Sequence, residues 1–239
     1  MIDALRGFAI VQMIGFHLVY VLTQLGWVHI DMNREPQWVA WRVAIVSQFL
    51  LLVGVGLVLR AGYKPAWSDF WSRWLEVAGT ALVVSLGSAM VLGPRAIYFG
   101  ILHLVAVALI AARLLLPLGL LNLILGAAVL FVGLSYADPS FNGWPASAIG
   151  FATRAPLTED YVPFFPWAGF VLVGTGAGVA WQRRGFALSA ALARLNASPP
   201  RLLVFLGSWP LIVYLAHVPI LAGLVLALGW LAQQAGHGG

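Results

Sequence analysis

Apolar residues run through this chain in long unbroken blocks, separated by short polar joints. Seven blocks stand out: 4–26, 38–60, 70–92, 96–114, 117–136, 162–182 and 208–233. A bilayer core is roughly 30 Å thick, and a helix rising ~1.5 Å per residue needs about 20 residues to cross it. The blocks meet that length, and none shows the short alternating segments of a closed barrel. The pattern predicts an all-α, polytopic membrane helix bundle of about seven transmembrane helices. It forms one domain over residues 1–239, without a linker.

The joints carry local detail. Asp3 reads as the N-cap of the first helix and Asp69 as that of the third, each with its charge at the positive helix end. A tight turn near Pro117 makes the fourth and fifth helices antiparallel neighbours. Residues 137–161 hold Asp138, Pro139, Asn142, Gly143, Pro145 and Pro156, the composition of an irregular loop folded over the membrane face. In 183–207, Arg183, Arg184, Phe186, Leu188, Leu192, Arg194 and Leu195 suggest an amphipathic helix on the inner leaflet. A Pro199-Pro200 break and a short re-entry follow it. Gly174, Gly176 and Gly178 mimic a phosphate loop, but no strand precedes them, and close helix packing explains them better. Trp27, Trp38, Trp41, Trp67, Trp71 and Trp230 near block ends read as interface anchors.

Composition agrees. Only 9% of residues are charged and 62% are hydrophobic, whereas a soluble domain carries about a quarter charged residues. Cysteine is absent, which excludes disulfides, thiolate metal sites and a cysteine nucleophile. No P-loop, Gly-x-Ser-x-Gly elbow or His-Glu-x-x-His pair occurs, so no metal site is expected. The first block lacks a small-residue cleavage site and is expected to remain as helix one.

The net charge of +5 does not indicate nucleic acid, because the cations sit at block ends. With seven spans, nine of them share one side: Arg6, Arg60, Lys64, Arg73, Arg113, Arg183, Arg184, Arg194 and Arg201. The other side has four: Arg34, Arg42, Arg95 and Arg154. Lys and Arg accumulate on the cytoplasmic side, so the N-terminus is expected inside and the C-terminus outside.

Ionisable groups within the blocks carry the candidate chemistry, because burial in lipid costs several kcal/mol unless they face a cavity or one another. His17, His103 and His217 each fall roughly 10–17 Å into their helices, near mid-bilayer, and suggest one shared polar pocket. Arg6 lies eleven residues before His17, about three turns, so both point to nearly the same face some ~16 Å apart. That suits a long anionic ligand entering from the cytoplasm, phosphates at Arg6 and reactive end at His17. Plainer readings stand beside these. Arg6 reads equally as a snorkelling anchor, and His17 as a helix-to-helix hydrogen-bonding residue. His217 precedes Pro219, which frees a carbonyl near residue 215 that the imidazole could satisfy. His29 and His237 lie outside the blocks.

Four segments stand out in order: Ile2-Asp3-Ala4-Leu5-Arg6-Gly7-Phe8-Ala9-Ile10 with His17 beyond; Phe99-Gly100-Ile101-Leu102-His103; Asp160-Tyr161-Val162-Pro163-Phe164-Phe165-Pro166-Trp167; and Leu211 to Leu221 around His217. In that order they resemble the bacterial relatives of the heparan-α-glucosaminide N-acetyltransferase catalytic domain. The resemblance implies a multi-pass acyltransferase of the bacterial inner membrane. Its donor would be cytoplasmic acetyl-CoA or another acyl-CoA, and its acceptor a sugar or glycan on the outer side. Arg6 would lie near the donor, His17 near the transfer centre, Asp160 on the acceptor side, and His29 nearest the functional histidine of the first outer loop. Relatives often carry an aspartate where this chain has Val21, and Gly-Arg-His-Ser where it has Gly207-Ser208-Trp209-Pro210.

On this reading a neutral imidazole acts as general base on the acceptor, or is acylated first and passes the group on. His103 or His217 would add a second polar contact. The rival is a non-enzymatic multi-pass protein, whether transporter, accessory subunit or inactive relative. The absence of a visible repeat argues against a transporter. Oligomeric state, a homodimer included, stays open.

Overall fold

A computed structural model describes residues 1–63, 66–187 and 197–236. Its helices are α1 (Ile2–Gln24), α2 (Pro36–Tyr63), α3 (Trp67–Leu92), α4 (Ile101–Leu115), α5 (Leu121–Ser135), α6 (Phe164–Arg183), α7 (Arg201–Ser208) and α8 (Pro210–Gly236). The described residues contain no strand, only an isolated parallel bridge between Phe99 and Tyr161. Six of the helices are long and apolar enough to cross a membrane: α1, α2, α3, α6, α8, and α4 with its extension to Leu118. This is an all-α, multi-pass membrane bundle.

The fifth block is where helix and expectation part. A 3₁₀ turn at Leu116–Leu118 and Gly119, held at φ +61°, consume the residues that were to begin it. Only 15 residues remain helical in α5, about 22 Å of rise. The two acidic N-caps are also corrected. Both helices start earlier, capped by Met1 and Ala66, and Asp3 and Asp69 lie inside the first turn. There they still meet the positive helix end. Of the segment 183–207, residues 188–196 lie outside the described residues; α6 stops at Arg183, and α7 follows Pro200.

The chain divides into two compact units, Met1–Val46 with Leu195–Gly239, and Ser47–Arg194. In the first, α1 packs on α7 and α8. A Cβ on Gly7 would stand 1.9 Å from the Leu203 carbonyl oxygen, and one on Gly207 1.8 Å from that of Asp3. The backbones therefore touch where these glycines cross. Further along, His17 meets His217, and Trp27 lies against Gly229. Contacts rising together in both sequences mean that α1 and α8 run parallel. Phe16, Met32 and Ile45 form the buried centre beside them, joined by Trp38 and Trp41. Those two tryptophans serve the core, whereas Trp27, Trp67, Trp71 and Trp230 are exposed.

In the second unit α5 and α6 pack most extensively, antiparallel, with Leu123 by Gly176, Gly126 by Gly169 and Gly133 by Pro166. Leu51 meets Gly174 and Val58 meets Gly178, so α2 and α6 are parallel. The Gly54–Gly174 contact is backbone on backbone: a Cβ on Gly54 would sit 2.1 Å from the Val171 oxygen. The glycines of α6 thus serve helix packing. These directions bear on the crossing count of the described helices. Parallel α1 and α8 require an odd number of crossings, and the six long helices alone would give an even one. Counting α5 gives seven among the described residues.

Candidate active site

On α1, Arg6 and His17 share a face, as their spacing demands, and that face meets the α7–α8 segment. Arg6 Nη1 donates to the Gly207 carbonyl at 2.9 Å and to Asp3 Oδ1 at 2.8 Å. Gly207 lies in the last turn of α7, so the guanidinium caps the negative end of that helix. Ten residues further along the chain, the His217 ring approaches His17 edge-to-face, with centroids 4.8 Å apart at 81°.

Both imidazoles are oriented by their own helices. Nδ1 of His17 lies 2.9 Å from the Met13 carbonyl, and Nδ1 of His217 lies 2.7 Å from that of Tyr214 and 3.2 Å from that of Val213. A carbonyl only accepts, so each Nδ1 carries the proton. Nε2 of His217 is buried and has no hydrogen-bond partner. The Nδ1 of His217 is bonded not to the carbonyl that Pro219 frees at 215 but to those of Val213 and Tyr214, two residues and one residue before it. Tyr20 flanks the pair at 6.3 Å from His17, and Tyr214 lies 5.7 Å from His217.

One turn beyond Tyr20 an open cleft of about 420 Å³ lies at the C-terminal end of α1. Tyr20, Thr23, Gln24, His29, Asp31 and Asn33 line it. His29 is exposed there. Asp31 is committed to its own turn, where Oδ1 accepts from the Asn33 and Arg34 amides at 3.1 Å. Val21, on the same turn of α1, is buried at 5% exposure. Where relatives were expected to carry a carboxylate, this chain has core packing.

His103 belongs to the second unit and is held differently. The Gly100 amide donates to its Nδ1 at 3.3 Å, which leaves Nε2–H to donate to Ser85 Oγ at 2.9 Å. Ser85 in turn donates to the Ile97 carbonyl at 2.7 Å. Asp160 arrives from 59 residues away, where its Oδ2 accepts from the Ile101 amide at 2.9 Å, at the start of α4. It thereby caps a helix that has no side-chain cap of its own. Thr158 donates to the Ala96 carbonyl at 2.7 Å, and Arg95 pairs with Glu159 at 2.6 Å, knitting the same two segments together. Tyr161 donates to the Ser147 carbonyl at 2.8 Å, and partial burial holds its phenol above the usual pKa.

Of the expected site residues, the structure brings His17 and His217 together. It puts His29 in a cleft beyond them and places His103 and Asp160 in a network of their own. Sequence reasoning missed Ser85, Tyr20 and Gly207 as partners. Ser85, a hydroxyl in an apolar block, was the one visible signal. Among the described residues no cluster of three or more His, Cys, Asp or Glu could hold a metal ion.

The family model described as "Heparan-alpha-glucosaminide N-acetyltransferase, catalytic" matches residues 1–219. No curated protein matches, and no solved structure does.

Proposed function

The chain belongs to the heparan-alpha-glucosaminide N-acetyltransferase catalytic family, with its acetyltransferase-type role in the membrane, and from that premise we propose that its first unit carries the transfer. The donor is acetyl-CoA or another acyl-CoA on the cytoplasmic side of a bacterial inner membrane. The acceptor is a sugar-type amine or hydroxyl on the outer side. The N-terminus lies inside, as the nine-to-four distribution of cations supports.

The observation that carries this reading is the His17–His217 pair, with both Nδ1 protons tied to helix carbonyls and Nε2 of His217 buried without a hydrogen-bond partner. One Nε2 removes the proton from the acceptor amine or hydroxyl as that atom attacks the thioester carbonyl. The C–S bond breaks, the C–N or C–O bond forms, and the proton passes to the CoA sulfur. The second imidazole offers a polar contact within the same pair. An aligned general base typically contributes about 10²–10⁴-fold. Arg6, ~16 Å toward the N-terminus, assists the donor's phosphates while holding α7 in place. The cleft at His29, beyond Tyr20, receives the acceptor. His103 and Asp160 position the second unit's outer segments.

Val21, buried where a carboxylate was expected, favours one alternative, a relative without catalysis. Purified protein in detergent separates the two. Acetyl-CoA at 100 times its dissociation constant should stabilise the wild type by about 2.7 kcal/mol, less so Arg6→Gln measured against its own ligand-free melting. Acetyl transfer to a glucosamine acceptor should follow. Neither stabilisation nor turnover at millimolar acetyl-CoA or a longer acyl-CoA would sink the enzyme reading.

A further inference from the structure

The turn that joins α4 to α5 is apolar where a connection at a membrane face is normally polar. No charged residue falls between Arg113 and Asp138, and the turn reads Leu114-Leu115-Leu116-Pro117-Leu118-Gly119-Leu120-Leu121. Leu114, Leu118 and Leu121 are exposed at 62%, 44% and 53%. Its carbonyls are satisfied from within. Asn122 is fully buried, and its Nδ2 donates to the Leu115 carbonyl at 3.0 Å and to that of Gly119 at 2.9 Å. Irregular backbone needs such internal partners below the headgroups, where water is scarce. A helix α5 of only about 22 Å, against a hydrocarbon core of roughly 30 Å, sets the turn at that depth.

Two cations flank this apolar turn. Arg183, the last residue of α6, rests on it: its Nη2 lies 3.2 Å from where a Cβ on Gly119 would stand. Arg113, in the last turn of α4, is held over the Trp67 ring, 4.8 Å from the centroid. Trp67 is itself packed against Phe70 and Trp71. The nearest carboxylates along α3 are Asp69 and Glu76, and Glu76 is paired with Arg73. Among the described residues Arg183 forms no ion pair. A snorkelling anchor needs only to reach the nearest headgroup. Here one guanidinium is fixed by a ring and the other by a glycine, beside exposed leucines. Cation above and hydrocarbon below complement an anionic phospholipid, with its phosphate diester for the guanidiniums and its acyl chains for the leucines.

We propose that the α4–α5 turn binds one anionic phospholipid, its phosphate on Arg113 and Arg183 and its acyl chains along Leu114, Leu118 and Leu121. A zwitterionic lipid, whose own ammonium offsets its phosphate, binds less tightly. The site lies wholly within the second unit and is independent of acyl transfer.

The test is native mass spectrometry of the full-length protein in detergent, titrated with phosphatidylglycerol and with phosphatidylcholine of the same acyl chains. Phosphatidylglycerol should bind about ten-fold more tightly to the wild type. Arg183→Gln and Arg113→Gln should each lose most of that preference, and Arg183→Lys should keep most of it. Arg73→Gln removes a charge that Glu76 already holds and should leave the preference unchanged. Inorganic phosphate and acetyl-CoA at millimolar concentration should not displace the lipid, which separates a headgroup site from one for free phosphate or for the donor. Equal binding of the two lipids, a preference that survives the double variant Arg113→Gln/Arg183→Gln, or an equal loss in Arg73→Gln would overturn the site. Displacement by phosphate or acetyl-CoA would overturn it too and give the cations to a soluble ligand. Should Arg113→Gln fail to insert, Arg183→Gln, altered at an exposed side chain, decides alone.

Discussion

The two units each hold histidine within apolar helices, in the first turn of α4 in the case of His103, and they are built on opposite principles. In the first, His17 and His217 face one another, and Nε2 of His217 has no hydrogen-bond partner. In the second, both nitrogens of His103 are spent, on Gly100 and on Ser85. A ring with both nitrogens engaged holds segments together, and a ring with one lone pair left can move a proton. The same residue type in the same kind of apolar helix thus takes different work from its neighbours.

Substitution should separate the two sharply. His17→Ala or His217→Ala should cut acetyl transfer by about 10²–10⁴-fold, with little change in thermal unfolding. His103→Ala should do the reverse, lowering stability by about 1–3 kcal/mol as Ser85 and Gly100 lose a buried partner. If His103→Ala abolished transfer in a protein of unchanged stability, the contrast would be wrong. Gly7→Ala tests the scaffold under the pair. Its new methyl would stand 1.9 Å from the Leu203 carbonyl oxygen, and detergent unfolding should show about 1–3 kcal/mol lost.

Asp160→Ala sharpens the comparison on the other side. Removing an N-cap typically costs about 1 kcal/mol, and the loss should appear as faster amide exchange at Ile101 rather than as a change at the first unit's histidines. The smallest effect lies at alkaline pH. The Tyr161 phenol is raised above its usual value by burial, so the folded state holds its proton more tightly than the unfolded chain does. Its contribution is complete below the ordinary tyrosine pKa of ~10 and declines as pH rises past the raised value. Thermal melting of wild type and Tyr161→Phe should converge as pH climbs through that window.

Seven apolar blocks, the absence of cysteine and the cation asymmetry stand in the sequence, because lipid tolerates only helices there and charges collect at their ends. The Arg6–His17 face was also legible, since a helix of 3.6 residues per turn returns to the same side after eleven residues. What faced that side was not. Gly207 and His217 lie some 200 residues away, and only the crossing of α1 antiparallel to α7 and parallel to α8 brings them to Arg6 and His17. That crossing also decided that α5 must count as a span, which its 15 residues alone would not establish. Likewise no local pattern marks Asp160 as the cap of α4, because a cap supplied across 59 residues depends on two loops meeting in space. Periodicity and solvent chemistry act along the chain and can be read there; partners across it exist only once the helices have packed.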